Sequence, residues 1–255
     1  MELHFEAYGQ GKPLIILHGL LGSMDNFRSV SLTLSAHFKV FGLDLRNHGR
    51  SPHSPDMDYS LMAQDVQSFI ERQSIREICV LGHSMGGKVA MQLALLYPES
   101  VSKLIVADIA PHSYPPRHRK ILEGMVSLDL GHFQSRKEIE AALAPAVPNL
   151  ATRQFLLKNA VRDGSGPFHW RIGLQEIIRN YPRLTQAITS GRSFDKQALF
   201  IRGQSSDYLL EDDMVSIRTL FPRARLTTIP GAGHLVHTEN LAAFLNAIQD
   251  FLQEP

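Results

Sequence analysis

The stretch Leu81–Ala90, LGHSMGGKVA, sets one serine between glycines at the junction of two different patterns. Before it, Ile78-Cys79-Val80-Leu81 is a short apolar run of the kind a buried parallel strand needs, and after it Gly87 to Tyr97 reads as a helix ended by Pro98. Strand, sharp turn and helix are the context that a G-x-S-x-G turn requires, with Gly82 and Gly86 leaving room for close packing and Ser84 raised above the strand edge. Five residues also match by chance, and Ser84 alone could be an ordinary hydroxyl in a Gly-rich link. The rest of the chain has to decide.

Outward from this turn, short runs rich in Ile, Val and Leu alternate with helix-length amphipathic segments, the pattern of a mostly parallel sheet with helices on both faces. Strands are expected near 3–8, 14–18, 39–44, 77–82, 102–107, 197–202 and 225–230. Helices are expected near 26–37, 60–73, 85–97, 211–221 and 239–252, the second capped by Ser60. The alternation fails between about 112 and 195. That stretch opens with Pro111, Pro115 and Pro116 and holds helix-like segments at 135–143 and 151–161 but no convincing buried strand. It is therefore read as a mostly helical insertion, a lid at 112–195 carried by a core of 1–111 and 196–255. It bears a charge of +5, against −4 on the rest of the chain.

At 255 residues with 44% apolar and 20% charged residues, the chain can build one large buried core. Its single cysteine, Cys79, lies inside an apolar run and reads as a buried strand residue, not part of a disulfide framework. The N-terminus carries no apolar run of signal length and no window reaches a membrane span, so a cytoplasmic location is the expectation. A net charge of +1 leaves no footprint for nucleic acid.

If Ser84 attacks an acyl carbon, two backbone N–H groups must meet the developing oxyanion, and the residue after the nucleophile, Met85, supplies one. The loop His18-Gly19-Leu20-Leu21-Gly22, after an early strand, can bring Leu20 as the other, with His18 as a structural residue. A general base late in the chain is offered by Pro230-Gly231-Ala232-Gly233-His234, which follows a strand and precedes a helix. His237 is the weaker candidate, placed at a helix start. Two aspartates meet the chain order for the orienting acid: Asp108, at the end of the strand after the serine helix, and Asp207, after a later strand.

His18-Gly19, Gly82-His83-Ser84-Met85-Gly86-Gly87 and Gly233-His234, in this order, resemble the α/β-hydrolase superfamily over nearly the full length. Asp44-Leu45-Arg46-Asn47-His48-Gly49-Arg50-Ser51 and Asp108-Ile109-Ala110-Pro111 add a resemblance to the bacterial YbfF-type serine esterases. That resemblance implies an α/β-hydrolase fold with a helical lid and a Ser-His-Asp hydrolase of esters or thioesters. It further implies Asp108 as the acid, because a serine, Ser206, stands where many relatives carry theirs; Ser206 would then support the His–Asp pair, and Asp207 is the alternative acid. The Asp44–Ser51 loop, with Asn47 replacing a glycine, would be an Asp–Arg and backbone scaffold, with His48 lining the mouth of the site.

The cycle expected from these parts is acyl transfer to Ser84 and then to water, with no metal and no organic cofactor, since the 12 histidines are scattered without ligand spacing. The substrate would be a small acyl ester or thioester. The positive lid, including Arg117-His118-Arg119-Lys120, points to an anionic one such as an acyl-CoA. Met125, Phe133, Phe155, Leu156, Phe168 and Trp170 could shape the acyl pocket, although each fits helix-packing core at least as well. Carbon–carbon bond hydrolysis on the same triad and a slow-turnover small-molecule receptor remain the alternatives. Oligomeric state is not legible.

Overall fold

The computed structural model describes residues 1–254. In chain order the strands are β1 (Phe5–Tyr8), β2 (Lys12–Leu17), β3 (Phe38–Leu43), β4 (Ile78–His83), β5 (Val101–Ala107), β6 (Ala160–Arg162), β7 (Phe168–Trp170), β8 (Ala198–Gly203) and β9 (Ala224–Ile229). The helices are α1 (Arg28–Leu34), α2 (Tyr59–Arg72), α3 (Met85–Leu96), α4 (Arg119–Val126), α5 (Arg136–Leu143), α6 (Leu150–Leu157), α7 (Leu174–Leu184), α8 (Met214–Leu220), α9 (Val236–Glu239) and α10 (Leu241–Gln253). A seven-stranded sheet runs in the order β1-β3-β2-β4-β5-β8-β9, parallel throughout except for β1, which pairs antiparallel with β3 at the edge.

The period-2 alternation of each strand divides its side chains between two cores. Ile15 and Leu17 of β2, Val80 of β4, Leu104 and Val106 of β5 and Phe200 of β8 join α2 and α3 on one face, through Met62, Val66, Phe69, Val89 and Leu93. Leu14 and Ile16, Leu81, Ile105 and Leu199 face the other way and meet α1 and α10, through Val30, Leu34, Phe244 and Ile248. Both faces of the sheet are thus covered, which is why these strands read as continuous apolar runs instead of alternating ones.

Residues 112–195 hold α4 to α7, and Leu122, Met125, Leu143, Leu156 and Ile177 extend the α2/α3 core without a break. This stretch also contains a strand pair that the sequence did not announce: β6 and β7 form an antiparallel hairpin across the turn at 163–167. Three residues per strand are too few to show a period. At α2, Asp58 takes the capping place expected of Ser60, which lies one residue inside the helix; the Asp58 carboxylate accepts from the Leu61 N–H at 2.8 Å. The segments expected at 26–37 and 211–221 each begin with a 3-10 turn before α1 and α8. Among the described residues no helix is long and apolar enough to cross a membrane.

Candidate active site

Ser84, Asp108 and His234 stand beyond the C-terminal ends of the parallel strands β4, β5 and β9, where an open α/β sheet leaves a crevice. Ser84 follows β4 with φ 53° and ψ −118°, a left-handed conformation that a serine adopts only under constraint. The constraint is visible in the glycines around it. A Cβ on Gly82 would lie 2.1 Å from the Gly86 carbonyl oxygen, and one on Gly86 would lie 2.4 Å from that of Leu17, so strand, turn and helix approach as only glycines allow. Asp108, directly after β5, shares the φ of 53° and is fully buried.

These two strained residues meet at His234, on the loop after β9. The His234 Nδ1–H donates to Asp108 Oδ2 at 2.8 Å, and Nε2 stands 3.1 Å from Ser84 Oγ, placed to accept its proton. The carboxylate partner assigns the Nδ1–H tautomer, which leaves Nε2 basic. Asp108 is itself saturated: Oδ1 accepts from the Gly203 N–H at 2.9 Å and Oδ2 from the Ser206 hydroxyl. Asp207, the alternative acid, is not brought to His234. Its exposed carboxylate pairs with Arg117 at 2.6 Å, and this hydrogen bond holds its pKa below the usual carboxylate range.

The histidine is fixed on two further sides. Buried His83 donates its Nε2–H to the His234 carbonyl at 2.8 Å, and Tyr208 stacks on the His234 ring with centroids 3.7 Å apart. Arg117 in turn lies 4.5 Å over the outer face of Tyr208. His237, on α9, is buried, stacked on Phe27 and edge-on to His83.

Leu20 and Met85 line the same cavity as Ser84, and neither N–H has an acceptor within the chain among the described residues. For Met85 this follows from its place at the first turn of α3, whose N–H groups lack partners one turn back. The Leu20 loop is held from below by two buried histidines. His48 Nδ1–H donates to the Arg46 carbonyl at 2.9 Å, while Nε2 accepts the Leu21 N–H at 3.1 Å. His18 does the same between the Gly19 carbonyl and the Leu45 N–H. Each ring uses one nitrogen as donor and the other as acceptor, which requires the neutral form, and burial lowers the pKa of His18 to about 4 and of His48 to about 3.

His48 was expected at the mouth of the site and lies instead fully buried beneath it. Its neighbour Asn47 has φ 63°, a left-handed backbone that glycine and asparagine adopt more readily than other residues. The scaffold also differs in its pairing. Arg46 binds Asp65 at 2.6 Å, while Asp44 accepts the N–H groups of Met24 and Arg50.

Beside Leu20, Ser84 and Met85, and Arg117 and His118 from the basic stretch, the cavity wall includes residues the sequence did not offer, Tyr59, Lys88, Tyr114, Tyr181 and Tyr208, whereas Met125, Phe133, Phe155, Leu156, Phe168 and Trp170 do not line it. The four tyrosines arrive from four separate segments, so no local pattern could collect them. Lys88 carried a signal: it is a charge inside a helix that is buried along its whole length from Met85 to Leu95. Among the described residues no group of three or more His, Cys, Asp or Glu side chains could hold a metal ion.

A family model described as the alpha/beta hydrolase fold matches residues 12–241. The chain is 36% identical over 247 residues to the sn-1-specific diacylglycerol lipase ABHD11 of Mus musculus, covering 94% of this chain and 80% of that protein. It is 35% identical over 243 residues to Esterase YbfF of Escherichia coli strain K12, covering 95% and 93%. A solved structure titled Marine microorganism esterase superposes with a TM-score of 0.95 at 42% identity, covering 98% of this chain and 99% of that one.

Proposed function

The chain belongs to the α/β-hydrolase family, among its esterases and lipases, and from that premise we propose that it hydrolyses carboxylic esters or thioesters through an acyl-enzyme on Ser84. The observation that carries this reading is the single imidazole of His234 bridging Asp108 at 2.8 Å and Ser84 at 3.1 Å. Ser84 Oγ attacks the acyl carbon as its proton passes to His234 Nε2, and Asp108 steadies the imidazolium that forms. The N–H groups of Leu20 and Met85 receive the oxyanion, and the positive end of α3 adds to their pull. His234 then returns the proton to the leaving alcohol or thiol. Water, activated by the same histidine, releases the acid.

Residues 112–195 act in this reading as the lid over the acyl cavity, supplying Tyr114, Arg117, His118 and Tyr181 to its wall. Arg117 near the mouth favours an anionic leaving group such as coenzyme A, although its pairing with Asp207 offsets part of that attraction.

The test is a panel of p-nitrophenyl esters and acyl-CoA thioesters assayed with wild type and Ser84→Ala over a series of salt concentrations. Wild type is expected to turn over at least one class and Ser84→Ala to lose it. Acyl-CoA turnover should weaken with salt more steeply than that of neutral esters. A panel left untouched by wild type, or cleaved equally well by Ser84→Ala, refutes the reading; equal salt slopes refute the preference for an anionic leaving group.

A further inference from the structure

Lys88 lies one helical turn beyond Ser84, is 1% exposed, and has no part in the proton relay. Its Nζ donates to two backbone carbonyls, His112 at 2.7 Å and Gln186 at 2.6 Å. Those carbonyls belong to opposite ends of the 112–195 segment, 74 residues apart in sequence. The same ammonium sits 5.4 Å from the Tyr59 ring and 5.0 Å from that of Tyr114. Among the described residues no carboxylate pairs with it.

The two ends are also bonded to one another and to the core at this point. The Tyr114 N–H donates to Thr185 at 2.9 Å and the Ile188 N–H to Pro111 at 2.7 Å. Tyr59, from α2, donates its hydroxyl to the Leu184 carbonyl at 2.6 Å. Tyr59, Tyr114, Leu184 and Thr185 are at the same time wall residues of the Ser84 cavity. A buried ammonium without a counter-ion is costly, and two carbonyls with two aromatic faces are an arrangement that holds one in place.

We infer that Lys88 is a positioning residue for the acyl cavity: it clamps both roots of the 112–195 segment to the nucleophile helix and so sets which acyl groups reach Ser84. This rests on the serine-hydrolase reading for its kinetic test, but not for its structural one. Burial lowers the Lys88 pKa to about 7, so the clamp changes charge near neutrality. The groups that face it are the rings of Tyr59 from α2 and Tyr114; His112, whose carbonyl it binds, pairs with Asp213, and Arg117, His118, Tyr181 and Tyr208 line the same cavity. Above the folded pKa the neutral amine keeps two N–H donors but loses the charge that strengthens its bonds and holds the tyrosine faces.

Two measurements test the clamp. The first is amide hydrogen exchange of the wild type at about pH 6 and about pH 8.5, corrected for intrinsic rates. Opening at Tyr114 and Ile188 should rise about tenfold at the higher pH while strand amides of β4 stay level, since charge assistance roughly doubles a hydrogen bond. Lys88→Arg should make these amides insensitive to pH, and Lys88→Met should leave them open at both values. The second compares p-nitrophenyl acetate with octanoate. Lys88→Met should shift the kcat/KM ratio of the two esters by about tenfold, mainly through KM, with labelling by a fluorophosphonate reporting competent Ser84 separately.

Tyr114 and Ile188 amides as protected in Lys88→Met as in the wild type, or an ester ratio that Lys88→Met leaves unchanged with full labelling, overturns the clamp. If Lys88→Met does not fold, the wild type and Lys88→Arg decide by exchange. If the wild type itself fails to label, the hydrolase reading falls while the exchange data still judge the clamp.

Discussion

Replacing Asp108 by asparagine alters the site by one atom. The carboxylate now makes three bonds, to the Gly203 N–H, the Ser206 hydroxyl and the His234 Nδ1–H. In Asp108→Asn the amide oxygen is retained by the Gly203 N–H, because an amide nitrogen there would set donor against donor. The NH2 group then faces His234 and donates to Nδ1, which moves the ring proton to Nε2 and removes the base from Ser84. The wrong tautomer costs on the order of 10⁴ in kcat for a triad of this kind, and KM should change little. Asp207→Asn, by contrast, releases an exposed pair worth about 0–1 kcal/mol, so its kcat should stay within about threefold of wild type. Steady-state assays of both variants on one chromogenic ester decide between them. A collapse in Asp207→Asn with near-normal Asp108→Asn would refute the assignment of the acid and the tautomer argument with it.

Ser84→Gly should abolish turnover yet raise thermal stability, since glycine adopts φ 53° freely and the strain relieved is about 1–3 kcal/mol; calorimetry that shows a lower Tm contradicts this. His48→Phe leaves the buried Leu21 N–H without its acceptor, at a cost of about 1–3 kcal/mol, and should lower kcat more than it raises KM because the Leu20 loop is loosened. Acid should act through the same histidines. His18 and His48 are neutral in the native state and titrate near 6.5 when unfolded, so the unfolded chain binds more protons as pH falls from about 6.5 toward 4, and stability drops in that window. At pH 5 each such site costs about 2 kcal/mol, and denaturant melts at pH 5 and 7.5 would show it; equal midpoints contradict the neutral assignment.

The order of the fold was legible because buried parallel strands and amphipathic helices write different periods into the chain, and β2, β4, β5 and β8 all fall within a few residues of their expected places. Ser84 and His234 were legible for a second reason: each stands on a loop after a strand, where glycines mark the turn. Asp108 was separated from Asp207 only by the resemblance to the YbfF-type esterases, because both follow strands in the right chain order. What the chain hid has the opposite character. The β6–β7 hairpin is too short to carry a period, and Asp58 competes with Ser60 for one cap on geometry alone. The cavity wall assembles Tyr59, Tyr114, Tyr181 and Tyr208 from segments that only tertiary packing brings together. His48 illustrates the same limit: sequence placed it in a loop after β3, while burial and its bond to Leu21 decide what it does.

The central claim is that Ser84 becomes acylated. Peptide mapping by mass spectrometry after reaction with a fluorophosphonate, run alongside the burst of p-nitrophenol from a slow ester, measures it directly. The predicted result is one adduct per chain, on Ser84, with a burst of matching amplitude, both absent in Ser84→Ala and slowed by orders of magnitude in His234→Ala. An adduct on another residue, or an unchanged burst in Ser84→Ala, would contradict it.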